Sequence, residues 1–427
     1  MTPLLTNIKD KIQWKEIAFI MLITSLLPSI IILPLIIYTF YNKKNATKTD
    51  YYAYFTCIAL YIGAINATKL PAGDQLAYAT AYSNIPEIGF KGALLYIYGL
   101  NGEYSSTSGI SGEFMNGIYN FLGYYLTLGY YPLFICIYSF IELMLVFIGF
   151  YHFCQRINKN HIPLIMGPLI LAFFYMYFNM MIQIQKQFMA QAIMMYVIGC
   201  YAQYGKMSIK LWIIAFISLF THASMILFFP FFIFKILRDK LSRTTFLIFA
   251  FFFASIIIMG PQIVNNTISD IENSSSAMSY SLKRVASSEK ANDGLSIDFF
   301  HPRTLITLIP ILFVLYTKLW KNRKILNATE TYILNIIFLL ILSTLAMYNQ
   351  EVAQYRYYLM TYMFLPIVTC FLSSKIKVRN NCMLFISLLS VGSFYVFFET
   401  IPWKYAPVTD IIIFPPTWLI FSNYNNL

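Results

Sequence analysis

The stretch YILNIIFLLILSTLAM, residues 332–347, contains no charged residue. Similar apolar runs with few or no charges occupy residues 17–41, 162–177, 244–259, 305–316 and 357–372. Roughly 20 apolar residues in helical conformation span the hydrocarbon core of a bilayer, and the longer runs approach that length. The sequence therefore predicts an all-α fold, a polytopic transmembrane helical bundle with about 10–12 spans.

The composition also indicates a membrane protein. Of the 427 residues, 59% are hydrophobic and 11% are charged, whereas soluble domains carry roughly 25% charged residues. The net charge of +12 does not indicate nucleic-acid binding, because the basic residues are spread over short loops instead of one face. The six cysteines lack the spacing of a disulfide scaffold or a zinc site. We expect no metal, no cofactor and no nucleic-acid partner.

Clusters of basic residues predict the orientation of the chain, because short loops rich in Lys and Arg stay in the cytoplasm. These clusters lie at residues 43–48, 156–159, 206–210, 235–243, 318–324 and 375–379. The remaining connections are then periplasmic, and two of them, residues 67–118 and 261–303, are long. We expect one integral membrane domain over residues 1–427, with short helices in the first of these loops.

One apolar run, residues 211–234, is flanked by basic clusters on both sides. A single crossing cannot join two cytoplasmic loops. Two half-helices meeting at His222 would form a re-entrant hairpin, which a membrane tolerates only where protein or water surrounds the tip. The alternative is one long tilted helix with a basic loop outside. His222 is the only histidine expected at membrane depth, and it is either functional or a hydrogen-bonded core residue.

Polar residues at the mouths of membrane helices are candidates for function because their burial is costly. Asp74, Tyr78 and Tyr82 recur every four residues and so share one face of a short outer helix. Alternatively, this is an aromatic interfacial helix with Asp74 as its cap. Glu113 opens another outer amphipathic stretch and is a weak candidate by itself.

A second polar group stands at the outer end of a predicted span. Spacings of three (183 to 186) and four (183 to 187 and 187 to 191) put the side chains of Gln183, Lys186, Gln187 and Gln191 roughly on one stripe along a helix. Lipid would not tolerate this stripe, and we expect it to face the interior of the bundle. Hydrogen bonding between spans explains it as well as substrate binding does.

The third group consists of outer cations and their neighbours. Arg356 follows Glu351 and Tyr355 at the start of a late span, while Arg284 and Arg303 belong to the long second loop. Guanidinium groups suit phosphate oxygens, which they bind in bidentate fashion. Alternatively, Arg356 is a membrane anchor or pairs with Glu351, and Arg284 is a solvated surface charge.

The order of these motifs resembles that of EpsG-like and Wzy-type polysaccharide polymerases. KLPAGDQLAYATAY (residues 69–82) is similar to the family's basic, Gly-x-Asp and repeated-Tyr signature. QKQFMAQA (185–192) resembles its Arg-Gln-x-x-Ala helix start, FTHASMI (220–226) its Phe-His-x-Ser segment, and residues 351–358 its late Arg-Tyr motif. The chain departs from the pattern at Lys186, where the family usually has arginine, and at Thr221, which separates Phe220 from His222.

The resemblance implies a multi-pass glycosyltransferase of the bacterial inner membrane with a GT-C-like architecture. Its substrates would be oligosaccharide repeat units on undecaprenyl pyrophosphate, joined at the periplasmic face into O-antigen, capsular polysaccharide or exopolysaccharide. Transfer would be inverting and independent of metal. Membrane lipids would be partners, and a chain-length regulator would be a further one.

Under this resemblance the polar residues receive roles as hypotheses. Asp74 or His222 would be the base that accepts the proton of the attacking sugar hydroxyl. Arg356, helped by Lys186 and Arg303, would stabilise the leaving diphosphate. The remaining candidates for substrate binding are Gln187, Arg284, Tyr78, Tyr82, Glu113, Glu351 and Tyr355.

Two other functions compete with this interpretation. A flippase or transporter of lipid-linked oligosaccharide would favour two pseudo-symmetric halves and several charges within the membrane. No internal repeat is visible, and only one broken helix is expected. A membrane acyltransferase acting on glycans would also use an intramembrane histidine, but it leaves the outer arginines unexplained.

Overall fold

The computed structural model of the chain describes residues 12–43, 45–98, 104–106, 113–157, 161–255, 302–348, 351–400, 404–422 and 424. The predicted periplasmic loop 261–303 lies outside the described residues except for its last two positions, where a helix begins. The predicted all-α bundle is confirmed, with one short β-hairpin added. In that hairpin β1 (Tyr96–Tyr98) pairs antiparallel with β2 (Tyr104–Ser106).

Ten helices are described before residue 205. They are α1 (Trp14–Leu26), α2 (Ser29–Asn42), α3 (Lys48–Ala67), α4 (Asp74–Ser83), α5 (Ile85–Leu95), α6 (Met115–Leu126), α7 (Tyr131–Ile157), α8 (His161–Ala172), α9 (Tyr175–Gln183) and α10 (Gln185–Tyr204). Helix α3 begins with a capping box, in which Thr47 and Asp50 bond each other's backbone N–H groups. The predicted loop 67–118 thus contains α4, α5 and the β-hairpin.

The helices described after residue 205 are shorter on average. They are α11 (Ile209–Thr221), α12 (Phe229–Ile233), α13 (Arg243–Ser255), α14 (Pro302–Val314), α15 (Ala328–Ala346), α16 (Glu351–Tyr362), α17 (Leu365–Phe371), α18 (Ile376–Phe397), α19 (Val408–Ile413) and α20 (Pro416–Phe421). A π-helical segment, Leu315–Lys321, continues α14.

Helices α3, α7 and α10 form the centre of the bundle. Every residue of α3 after Lys48 is buried. Helices α7 and α10 cross where Gly149 faces Gly199, and a Cβ added at Gly199 would lie 2.0 Å from the Gly149 carbonyl oxygen. Small residues allow this close backbone approach, which is typical of helix pairs in membranes.

The outer surface of the bundle is apolar. Helices α1, α2, α13 and α18 expose large hydrophobic side chains such as Ile31, Leu35, Phe251, Phe385 and Val396. Patches of this extent are rare on soluble monomers. Together with the buried polar centre, they fit a protein that is surrounded by lipid.

Four described helices are long and apolar enough to cross a membrane, or five if the bent pair α8–α9 is one span. Further apolar runs are divided into shorter helices, and the number of membrane crossings, about 10–12, stays a prediction. The run 17–41 was predicted as one span, yet it breaks at Pro28 between α1 and α2. The residue before a proline disfavours helical conformation, and Leu27 is accordingly extended.

The run 211–234 forms a helical hairpin. His222 is extended and ends α11; a 3-10 helix, Ala223–Phe228, and α12 then follow. The two arms pack together, since the ring of Trp212 lies 6.1 Å from that of Phe232. The reversal at His222 agrees with the sequence analysis, and re-entry into a bilayer stays a prediction.

Candidate active site

Three residues that are distant in the sequence meet at the tip of this hairpin. Glu113 lies just before α6, and its Oε2 accepts a hydrogen bond from Lys186 Nζ at 2.9 Å. The Ala223 backbone N–H donates to Glu113 Oε1 at 3.1 Å, and His222 Nε2 lies 3.9 Å from the same oxygen. We call Glu113, Lys186 and His222 the carboxylate cluster.

The break between α9 and α10 places Lys186 in the first turn of α10. A cation is disfavoured there because the amino-terminal end of a helix carries partial positive charge. Glu113 offsets this charge and also accepts from an N–H at the start of the 3-10 helix. One carboxylate therefore links the start of α10 to the hairpin tip.

The hairpin tip is held by further contacts with α6. The rings of Phe114 and Phe220 lie 5.1 Å apart, and Tyr119 shares a 2.8 Å hydrogen bond with Thr221. The imidazole is oriented from within the tip, since Ser224 contacts His222 Nδ1 through its hydroxyl at 2.7 Å and its N–H at 3.3 Å. Nε2 is therefore the ring nitrogen that faces Glu113.

The electrostatics of the cluster favour an ionised Glu113. Burial raises the pKa of Glu113. The charges of Lys186 and His222 and the hydrogen bonds from Lys186 and Ala223 outweigh this effect and lower the pKa to about 2. About a quarter of the Glu113 side chain is exposed, and a fifth of the Lys186 side chain. The cluster thus combines fixed opposite charges with access from outside.

The predicted stripe is divided between two helices, since Gln183 ends α9 while Lys186, Gln187 and Gln191 lie on α10. The three glutamines are buried and Lys186 is partly exposed. Gln187 donates through Nε2 to the Arg356 carbonyl oxygen at 2.9 Å, which ties α10 to α16. Deeper along the stripe, both amide atoms of Gln191 are buried and have no hydrogen-bond partner among the described residues.

The first polar group is divided by the fold. Asp74 is exposed at the first position of α4 and makes no hydrogen bond with a described residue. Tyr78 and Tyr82 are buried, and Tyr82 hydrogen-bonds Thr127 and stacks on Phe134. The inward face of α4 therefore packs against its neighbours, while the carboxylate points to solvent.

Several further candidates fall outside the described part of the molecule. They are Arg284 and the side chains of Arg303 and Glu351. Tyr355 is buried and Arg356 is partly buried. Among the described residues no group of three or more His, Cys, Asp or Glu side chains could hold a metal ion.

Lys69 is an outer residue whose environment the sequence did not reveal. Its side chain is fully buried, and Nζ donates to Gln183 Oε1 at 3.0 Å beside the ring of Tyr405. Burial lowers the pKa of Lys69 to about 7. The one sequence feature that pointed to Lys69 was its place as the basic residue of the 69–82 motif.

The sequence model of the EpsG family matches residues 73–407, which is most of the chain and contains the carboxylate cluster. The chain belongs to the EpsG family. As an EpsG protein it is a polytopic membrane protein resembling polysaccharide polymerases. No curated protein and no solved structure matches it.

Proposed function

We propose that this EpsG protein is a membrane glycosyltransferase that joins oligosaccharide repeat units carried on undecaprenyl pyrophosphate. The units would be linked at the periplasmic face of the bacterial inner membrane into O-antigen, capsular polysaccharide or exopolysaccharide, within a GT-C-like architecture. The observation that carries the proposal is the carboxylate cluster, Glu113, Lys186 and His222, because it brings an acid–base group and a cation together at a partly open position.

The reaction is an inverting displacement at the anomeric carbon of the donor sugar. A hydroxyl oxygen of the acceptor sugar forms the new bond to that carbon, while the bond from the carbon to the diphosphate oxygen breaks. The electron pair of that bond leaves with the lipid-linked diphosphate. The hydroxyl proton must go to a base within hydrogen-bond reach.

His222 is the base that the contacts favour over Asp74. Its separation of 3.9 Å from Glu113 is too long for a hydrogen bond. An acceptor hydroxyl about 2.8 Å from Nε2 would donate its proton to that nitrogen. His222 acts as the base in the tautomer whose Nδ1–H donates to the Ser224 hydroxyl, because Nε2 then carries a free lone pair. Proton transfer to Nε2 produces an imidazolium, and the ionised Glu113 stabilises it. Asp74 is exposed and is not bonded to the cluster, which makes it the weaker choice.

Lys186 and Arg356 are proposed to bind the diphosphate. Lys186 lies at the outer end of α10, and Gln187 on the same helix holds the backbone of Arg356. Cations that meet a leaving diphosphate stabilise the charge that develops on it. Arg303 and Arg284 would extend this cationic surface. Gln187 and the deeper Gln191 offer amides to sugar hydroxyls.

Complementation of a polymerase-deficient strain tests the proposal, provided that the strain makes a repeat unit this chain accepts. The variants are His222→Gln and Glu113→Gln, at membrane levels matched to the wild type. Glu87→Gln is the control, because Glu87 is an exposed carboxylate on the nearby helix α5.

We expect the wild type and Glu87→Gln to give a ladder of polymer lengths and His222→Gln to give single repeat units. A full ladder from His222→Gln would remove this residue from the role of base. A wild type that yields only single units, with the repeat unit shown to reach the periplasm, would overturn the polymerase proposal.

A further inference from the structure

Two basic loops that are about 80 residues apart in the sequence come together on the predicted cytoplasmic side. Lys240 Nζ donates to the Lys324 carbonyl oxygen at 2.9 Å, and Arg323 Nη1 donates to the Leu241 carbonyl oxygen at 3.2 Å. We call the cations of the two loops the basic patch; its members are Lys235, Arg238, Lys240, Arg243, Lys318, Lys321, Arg323 and Lys324.

The first loop of the basic patch is fixed by a buried amide. Asn335 of α15 donates through Nδ2 to the carbonyl oxygens of Leu237 and Asp239, at 2.9 and 3.0 Å. Arg238 also donates to the Phe232 carbonyl oxygen at 2.6 Å. These bonds hold the backbone of the loop in one conformation, so its cations are presented without a large ordering cost.

The charge of the basic patch is almost uncompensated. Within residues 235–243 and 318–324 the one acidic residue is Asp239. In the described structure the ammonium groups of Lys235, Lys318, Lys321 and Lys324 have no hydrogen bond or ion pair. Cations gathered in this way attract an anion, and the fixed loop offers it several donors at once.

Apolar side chains beside the basic patch indicate that the anion is an amphiphile. Phe234, Ile236 and Ile325 are largely exposed, at 55%, 59% and 82%. Arg243 stacks on Trp320, an arrangement suited to the interface between headgroups and acyl chains. Trp320 belongs to the π-helical segment, and π-helical turns are frequent at functional sites.

We infer that the basic patch binds the headgroup phosphate of an anionic phospholipid in the cytoplasmic leaflet. The acyl chains lie against the exposed apolar residues of the same two loops. A zwitterionic phospholipid carries the same phosphate, but its own ammonium cancels the charge and weakens binding. The inference concerns the face opposite to the carboxylate cluster and does not depend on the proposed polymerase activity.

Native mass spectrometry of the purified full-length protein tests this inference. Phosphatidylglycerol and phosphatidylcholine with identical acyl chains are titrated against the wild type and against Lys318→Gln/Lys321→Gln/Lys324→Gln. These lysine side chains make no described bond, so their exchange preserves the fold. A lysine at a membrane surface contributes roughly fivefold to the attraction of an anionic lipid. We expect phosphatidylglycerol to bind the triple variant at least tenfold more weakly.

The matched control is Lys15→Gln/Lys91→Gln/Lys404→Gln, which removes three exposed lysines outside the predicted cytoplasmic clusters. It should bind phosphatidylglycerol like the wild type. Equal binding of the two lipids by the wild type would overturn the inference. An equal loss in the two triple variants would do the same, because net charge and not this site would then explain the attraction.

Discussion

Replacing Glu113 by Gln removes the charge that pairs with Lys186 but leaves an oxygen to accept the Ala223 N–H. A carboxylate whose pKa falls from 4.5 to about 2 on folding stabilises the folded state at neutral pH by roughly 3 kcal/mol. Since a quarter of the side chain is exposed to screening solvent, we expect Glu113→Gln to lower the free energy of unfolding by roughly 1–3 kcal/mol at pH 7.

The pH dependence of this difference follows from the lowered pKa of Glu113. The stabilisation is complete above pH 4.5 and is lost as the pH falls toward 2. Over this range the carboxylate of Glu113 is protonated in the unfolded protein but still ionised in the folded protein. The gap between wild type and Glu113→Gln should therefore be constant near neutral pH and close in acid. Tryptophan fluorescence during denaturant-induced unfolding in mixed micelles measures it.

A double-mutant cycle with Lys186→Met separates the ion pair from other effects of the substitution. If the two residues act as a pair, the double variant loses less than the sum of the single variants, by roughly 1–3 kcal/mol. Glu87→Gln should change nothing. Additive losses, or a Glu113→Gln protein as stable as the wild type, would refute the reasoning that the carboxylate links α10 to the hairpin tip.

Three further predictions concern the core and the hairpin tip. Burial lowers the pKa of Lys69 from 10.5 to about 7. Between these two pH values the unfolded state therefore binds more protons than the folded state, and the free energy of unfolding should rise by about 2 kcal/mol from pH 7 to 9. Lys69→Met should lack this rise in the same denaturation assay. Gly199→Ala forces a Cβ against the α7 backbone and should lower the free energy of unfolding by about 1–3 kcal/mol. A Cβ at Gly392 meets nothing within 4 Å, so Gly392→Ala should raise the free energy of unfolding by about 0.5–1 kcal/mol. Ser224→Ala frees the His222 ring and should lower the polymerisation rate by up to about 100-fold, measured with purified enzyme at unchanged KM.

The sequence predicted those features that depend on local pattern. Apolar runs gave the helical bundle, and basic residues on both sides of 211–234 gave the reversal at His222. The spacing of Gln187 and Gln191 agrees with their burial on α10, whereas the break after Gln183 was not visible in that spacing. In each case a periodicity or a charge rule within a few turns of helix decides the structure.

The remaining features depend on contacts between distant segments. Glu113 was a weak candidate because its partners are distant in the sequence. Lys186 lies 73 residues away and His222 lies 109 residues away, and nothing near Glu113 in the chain reveals either contact. The spacing of Asp74, Tyr78 and Tyr82 correctly gives one helical strip, yet packing buries the two tyrosines and leaves the carboxylate exposed. The breaks within apolar runs could not be predicted either, because proline and polar residues divide a run without changing its overall hydropathy.

The most direct test of the central claim uses purified protein in nanodiscs with a lipid-linked repeat unit and no other enzyme. The account predicts that the wild type lengthens the glycan and releases one lipid diphosphate for each linkage formed. His222→Gln should bind the substrate yet form no linkage. A wild-type protein that forms no linkage from a repeat unit known to be its own, or a His222→Gln protein that polymerises at the wild-type rate, would contradict the account.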